Sequence, residues 1–251
     1  MKKISLLVRM VRAMVRRMGA LWAGVSLVAA AGFLLAAGAF VGFVALADEV
    51  LEGETQRVDE AVLGWVAGHR VGWLDTVALE ITSLGSVATL VVVALSAAAI
   101  LWAGRRRVSV ALLFLALSTG AAVNFILKAV FGRPRPRVMA PLADALTASF
   151  PSGHAMMAAI TYGTVAFLVG RMAEGTLRWV TWAGAALLVV LVGLTRIYVG
   201  AHYPSDVLAG WLAGIAWTGL LVALFRALGA FARGAPELAA MEPELGSGEG
   251  C

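Results

Sequence analysis

Four cations, two histidines and one aspartate stand in three short polar segments of an otherwise apolar chain. The first segment, residues 128–136, reads Lys-Ala-Val-Phe-Gly-Arg-Pro-Arg-Pro and carries Lys128, Arg133 and Arg135. The second, residues 151–154, reads Pro-Ser-Gly-His and ends on His154. The third, residues 195–206, carries Arg196, His202 and Asp206. Lys128, Arg135 and Arg196 offer positive charge and forked donors suited to an oxyanion such as phosphate. Ser152 and Gly153 open an apolar run, where Ser152 is placed to cap a helix and its hydroxyl and the free N–H groups of the first turn can face an anion. Two histidines provide a nucleophile and a proton donor near neutral pH. Asp206, four residues after His202, is placed to accept the second imidazole N–H and hold one tautomer.

The elements that must position these groups are membrane spans. Of the 251 residues 61% are hydrophobic and 14% charged, against about a quarter charged in a soluble domain. A mean hydropathy of +0.89 points the same way. Apolar runs long enough to cross a bilayer occur at 20–47, 84–103, 108–130, 155–171, 179–198 and 205–228. The net charge of +5 does not indicate nucleic acid, because Lys2, Lys3, Arg9, Arg12, Arg16 and Arg17 crowd the start and precede a long apolar run. That run exceeds the length of a cleaved signal segment. With the N-terminus cytoplasmic, most basic residues, Arg105, Arg106 and Arg107 among them, fall on the inner side. All three polar segments then fall on the outer side. The connection 48–83 opens acidic, from Asp48 to Glu60, and continues with Trp65 and Trp73, which predicts a short helix along the outer interface. His69 in this connection reads as solvated. Arg133 and Arg137 flank the first motif and read as contacts to lipid headgroups. The single cysteine, Cys251, excludes an intrachain disulfide, and no cluster of carboxylates, Cys or His is spaced to hold a metal.

The ordered trio Lys-x6-Arg-Pro, Pro-Ser-Gly-His and Arg-x5-His-x3-Asp resembles the signature of the type-2 phosphatidic acid phosphatase superfamily. The match is Lys128 with Arg135 and Pro136, then Pro151 to His154, then Arg196 with His202 and Asp206. Thr195 stands where that family usually has serine, a change that keeps the hydroxyl. The resemblance implies an all-α, six-transmembrane-helix bundle over residues 20–230. It leaves a basic cytoplasmic segment at 1–19 and a cytoplasmic tail without fixed order at 231–251. It implies that His202 attacks phosphorus and becomes a phosphohistidine, that His154 protonates the leaving oxygen, and that Asp206 supports His202. Lys128, Arg135, Ser152, Gly153 and Arg196 are then the phosphate-binding set, and no cofactor or metal is required.

The expected substrate is a lipid phosphate: phosphatidylglycerol phosphate, phosphatidic acid or undecaprenyl pyrophosphate. The strings around His154 and His202 look like bacterial members of the family that handle the first and the last of these. The expected location is the plasma membrane, with both termini cytoplasmic and the site on the periplasmic or extracellular face. A phosphotransferase using the same site is the alternative. A soluble vanadate haloperoxidase is disfavoured by the spans, and a transporter by the gathering of ionisable residues at one face.

Overall fold

The computed structural model describes the backbone of residues 27–142 and 147–246 and the side chains of 32–142 and 147–227. The basic segment expected at 1–19 lies outside the described residues. Among the described residues eight helices follow in order: α1 (Leu27–Glu52), α2 (Gln56–Gly68), α3 (Gly72–Ser83), α4 (Val87–Ala103), α5 (Arg107–Phe131), α6 (Gly153–Gly170), α7 (Gly175–Tyr198) and α8 (Pro204–Gly246). Contacts divide the chain into one compact unit, Leu35–Leu221, and another made of its two ends, Met1–Leu34 with Val222–Cys251. The described part of the latter is helical backbone, 27–34 and 222–246. Everything below concerns the first unit.

Among the described residues five helices are long and apolar enough to cross a membrane: Gly32–Glu52, Arg107–Phe131, Gly153–Gly170, Gly175–Tyr198 and Pro204–Ala227. The pair α3 and α4, bent by 46°, passes the same test of length and composition together and makes a sixth span when counted as one. The second span, expected at 84–103, therefore begins earlier, at Gly72. Its bend has a local cause. Ser86 is extended and caps α4 by accepting the Thr89 N–H at 3.3 Å. The Leu84 carbonyl accepts the Tyr162 hydroxyl at 2.8 Å. A side chain on α6 thus satisfies a carbonyl where the helix breaks, which a membrane-embedded break requires. The connection 48–83 is not a single interfacial helix. It contains α2 and the first half of this bent span. Trp65 and Trp73 are exposed, as the interfacial reading requires. α2 nevertheless turns a face inward, burying Leu63 against Met139 and Tyr203. α8 is described as helical backbone to Gly246. The Ala, Leu, Glu and Met residues there favour helix.

α6 lies at the centre. Two thirds of its spanning window (67%) is buried, against 22–33% for the other four single-helix spans. α8 can approach it because Gly210 and Gly214 are small residues four apart on one face. A Cβ on Gly210 would stand 2.8 Å from the Ser152 carbonyl, and one on Gly214 would stand 2.6 Å from Ala159 Cβ. The outward faces of α1, α4, α5 and α7 show large apolar side chains such as Phe40, Trp102, Phe125 and Trp179, which suits contact with lipid tails.

The helix ends decide where polar residues gather. α5 stops at Gly132, whose left-handed φ of 55° and N–H bond to the Lys128 carbonyl close the last turn, and Pro134 prevents resumption. α7 stops at Tyr198, two residues before Gly200, whose φ of 75° turns the chain back past Met139. α8 restarts at Pro204, a position where a missing N–H costs nothing. The C-terminal ends of α5 and α7 and the N-terminal ends of α6 and α8 thus meet at one end of the unit.

Candidate active site

Each residue singled out from the sequence lies at this junction. Gly153 is the first residue of α6, and a Cβ there would meet Lys128 Cε at 3.7 Å and Asn124 Oδ1 at 3.2 Å. Lys128, on the last turn of α5, is therefore held against the start of α6, and its ammonium donates to the Ala148 carbonyl. Arg135, on the loop between α5 and α6, donates from Nε to the Thr147 carbonyl (2.8 Å) and from Nη1 to the Ala201 carbonyl (2.6 Å). Nη1 also reaches His202 Nε2 at 3.2 Å. Arg196 is 3% exposed and donates from Nη1 to Thr82 Oγ1 at 3.0 Å. Its Nε has no partner.

Ser152 occupies the cap position of α6, but its side chain does not cap the helix. The hydroxyl is buried without any hydrogen bond. It thus joins Arg196 Nε as a buried donor without an acceptor, beside the free N–H groups that open any helix. Such an array is built for an anion.

His202 is fully enclosed, 2% exposed, in the turn between α7 and α8. A guanidinium can only donate, so Arg135 requires His202 Nε2 to be unprotonated and puts the proton on Nδ1. Nδ1 faces Ser149 Oγ at 3.4 Å and Asp206 Oδ2 at 3.5 Å. Ser149 Oγ in turn donates to Asp206 Oδ2 at 2.5 Å. Burial pushes the imidazole down to about 4, against the hydrogen bond and charge of Asp206, with Arg135 and Arg196 adding repulsion. At neutral pH the ring is neutral with Nε2 free to attack, and that capacity is lost as pH falls through about 4. His154, the second residue of α6, packs against Gly85 at the bend between α3 and α4. A Cβ on Gly85 would stand 3.2 Å from His154 Cδ2.

Asp206 is 0% exposed. Its Oδ2 also accepts the Tyr203 N–H (2.9 Å), and its Oδ1 accepts Arg133 Nη1 (2.8 Å). Arg133 is thus not a headgroup contact: its side chain is 9% exposed. Its other amino group, Nη2, donates to Asp59 Oδ2 (2.8 Å) and Gln56 Oε1 (3.1 Å) on α2. Burial lowers its proton affinity, but Asp206 and Asp59 outweigh this and raise it, so the guanidinium is permanently charged. Arg137 remains exposed and lines an open cleft of about 500 Å³ with Glu60, Pro134, Arg135, Val138 and Tyr203. His69 is exposed too, stacked on Trp65.

Sequence reasoning missed Asp59, Ser149, Thr82 and Gly85 as neighbours of the site. For Asp59 a signal existed. It shares one face of α2 with Leu63 and Val66, and a carboxylate on an apolar stripe has a buried partner to find. Among the described residues, no group of three His, Cys, Asp or Glu side chains is arranged to hold a metal ion.

Residues 109–230 match the profile of the PAP2 superfamily. The chain is 33% identical over 178 residues to phosphatidylglycerophosphatase B of Bacillus subtilis, covering 70% of this chain and 87% of that protein. It is 40% identical over 73 residues to an undecaprenyl-diphosphatase of Sulfolobus acidocaldarius, covering 29% of this chain and 31% of that one. The crystal structure of a transmembrane PAP2-type phosphatidylglycerolphosphate phosphatase from Bacillus subtilis superposes with a TM-score of 0.73 at 29% identity. It covers 76% of this chain and 96% of that one.

The orphaned hydroxyl gives a direct test. Because Ser152 makes no side-chain hydrogen bond at rest, Ser152→Ala should leave the melting temperature unchanged. It should lower kcat/KM for a phosphate ester by about 100-fold, the usual cost of one oxyanion donor. An unaltered kcat/KM would remove Ser152 from the anion site.

Proposed function

This chain belongs to the PAP2 superfamily, and from that premise we propose how it acts: as an integral membrane lipid phosphatase that transfers the phosphoryl group of a lipid phosphate to His202 and then to water. The observation that carries the reading is the pairing of two buried donors without acceptors, Ser152 Oγ and Arg196 Nε, with a neutral imidazole beside them. Lys128, Arg135, Arg196, Ser152 and the first-turn N–H groups of α6, from Gly153 onward, hold the phosphate oxygens. Arg135 leaves His202 Nε2 for the incoming phosphate. A bond then forms from Nε2 to phosphorus as the bond to the lipid oxygen breaks, and His154 gives that oxygen its proton. The positive charge arising on the phosphorylated imidazole is balanced by Asp206. His154, now neutral, takes a proton from water; the hydroxide attacks phosphorus, and His202 leaves with inorganic phosphate released. The net reaction consumes one water and returns both histidines to their starting states.

The substrate we favour is phosphatidylglycerol phosphate. The relative named for that activity is matched over 87% of its length, whereas the diphosphatase match spans 31% of its own. The site lies on the periplasmic or extracellular face of the plasma membrane, with both termini cytoplasmic. The basis is the positive-inside rule applied to the N-terminal cluster and to Arg105, Arg106 and Arg107, which join α4 to α5 at the far end from the site.

Purified protein should release free phosphate from phosphatidylglycerol phosphate faster than from phosphatidic acid or undecaprenyl pyrophosphate, without any acceptor alcohol. Faster turnover of the pyrophosphate would reassign the substrate. Release that depends on an added hydroxyl acceptor would make the protein a phosphotransferase. For sidedness, Thr147→Cys should react with an impermeant thiol reagent in intact cells, and Ser109→Cys only after the membrane is breached. The Thr147 side chain is exposed and Arg135 takes mainly its backbone carbonyl, so the substitution is tolerable. The reverse pattern would invert the topology.

A further inference from the structure

The reaction as described uses Asp206 and leaves unexplained what stands behind it. Two carboxylates and a guanidinium, with side chains 3%, 0% and 9% exposed, are buried in a row: Asp59, Asp206 and Arg133. Burying ion pairs is expensive, and apolar replacements commonly serve stability as well or better. We propose that Asp59 and Arg133 are positioning residues for the nucleophile: Arg133, clamped between the two carboxylates, fixes Asp206 so that the proton of His202 stays on Nδ1 and Nε2 stays aimed at phosphorus. The proposal rests on the reading of His202 as nucleophile and extends the active site to α2.

The geometry sets out how. Arg133 Nη1 donates to Asp206 Oδ1 at 2.8 Å and to Ser205 Oγ at 2.7 Å, while Nη2 donates to Asp59 Oδ2 at 2.8 Å. The guanidinium lies over the Tyr203 ring at 4.3 Å, which stops it tilting. Asp59 accepts the Ser205 N–H (2.9 Å) and the Ser205 hydroxyl (2.5 Å), tying α2 to the first turn of α8 on which Asp206 sits. Asp206 therefore has donors on both oxygens and a single orientation, with Oδ2 left toward Ser149 and His202 Nδ1.

Charge matters as well as aim. Asp59, Arg133 and Asp206 together carry one negative charge, which matches the one positive charge that appears on His202 when it is phosphorylated. Arg133 already donates to Asp206 Oδ1, and Ser149 and the Tyr203 N–H to Oδ2, so the Nδ1 proton stays on the imidazole. Keeping that proton lets His202 depart as neutral imidazole when water attacks. Loss of either residue should thus slow turnover more than it weakens binding.

The groups facing His202 are Asp206 on α8, Arg135 on the α5–α6 loop, Arg196 on α7 and His154 on α6, with Lys128 on α5 beyond them facing Arg135, Arg196, Asp206 and His154. None is altered in Asp59→Asn, Arg133→Lys or Arg133→Gln. In the full chain in lipid nanodiscs, Asp59→Asn and Arg133→Gln should lower kcat for phosphate release by about 100-fold, the usual cost of misplacing a reacting group by about 1 Å, with KM within about twofold. Arg133→Lys, which keeps the charge but not the two-sided fork, should recover part of the rate. The acid limb of the pH–rate profile should move up in Arg133→Gln, where a repelling cation is lost, and down in Asp59→Asn, where a compensating anion is lost. The double variant should be no slower than Arg133→Gln alone. Opposite shifts are not expected of two merely structural residues. Nitrogen NMR of labelled His202 gives the same information without substrate: one Nδ1–H tautomer in the parent protein and mixed tautomers in the variants. If the parent protein releases no phosphate, the functional reading fails and the tautomer measurement still decides this one. If Arg133→Gln does not fold, Asp59→Asn and Arg133→Lys decide it. Folded variants with parental kcat, an unmoved acid limb and a single tautomer would overturn it.

Discussion

A carboxylate shut away from water must find a donor for each of its oxygens, and the cluster at Asp206 is organised around that requirement. Ser149 and the Tyr203 N–H serve one oxygen, and Arg133 serves the other. Meeting the requirement draws together the α5–α6 loop, the α7–α8 turn and the start of α8. Because Arg133 must itself be neutralised, Asp59 brings in α2 as well. Removing one member of such a buried pair typically costs about 3–5 kcal/mol, so the arrangement is stiff. That stiffness suits a site where reacting atoms must be held to a fraction of an ångström.

The membrane dictates where such a cluster can exist. Inside the hydrocarbon the helices must satisfy their own backbone and show apolar side chains. Polar chemistry is therefore confined to helix ends. Four ends converge here, and they differ in kind. The start of α6 contributes free N–H groups, the starts of α6 and α8 both contribute positive dipole ends, and the last turns of α5 and α7 contribute Lys128 and Arg196. Every one of these contributions favours an anion. The glycine contacts between α8 and α6 bring Asp206 and His154 into the same small volume without a side chain between the backbones.

Much of this was legible in the sequence, and the reason is covalent proximity. The segments holding Lys128 with Arg135, Ser152 with His154, and Arg196 with His202 and Asp206 are each short enough that spacing implies a shared helix end. Six spans followed from hydropathy, although the bend at Leu84–Ser86 moved the second one, because a break capped by Ser86 and Tyr162 leaves the apolar pattern uninterrupted. What spacing could not convey was pairing across the chain. Asp59 stands 74 residues from Arg133 and is one acid among several in a polar connection. Arg133 sits two residues before a motif arginine and looks like its surplus neighbour. Only the fold distinguishes the two: Arg135 turns to His202 and Arg133 turns behind Asp206. Ser152 was read both as a helix cap and as a phosphate-binding hydroxyl; its side chain makes no capping bond and is a donor left without an acceptor.

The central claim is that phosphorus is carried on His202 between two displacements. The most direct measurement is a rapid quench of enzyme with lipid phosphate labelled in its terminal phosphoryl group, followed by peptide mapping of the trapped protein. The account predicts a label that survives alkali, is lost in acid and maps to His202, and that disappears in His202→Ala. A label on another residue, or full turnover without any trapped phosphoenzyme and with inverted configuration at phosphorus, would contradict it.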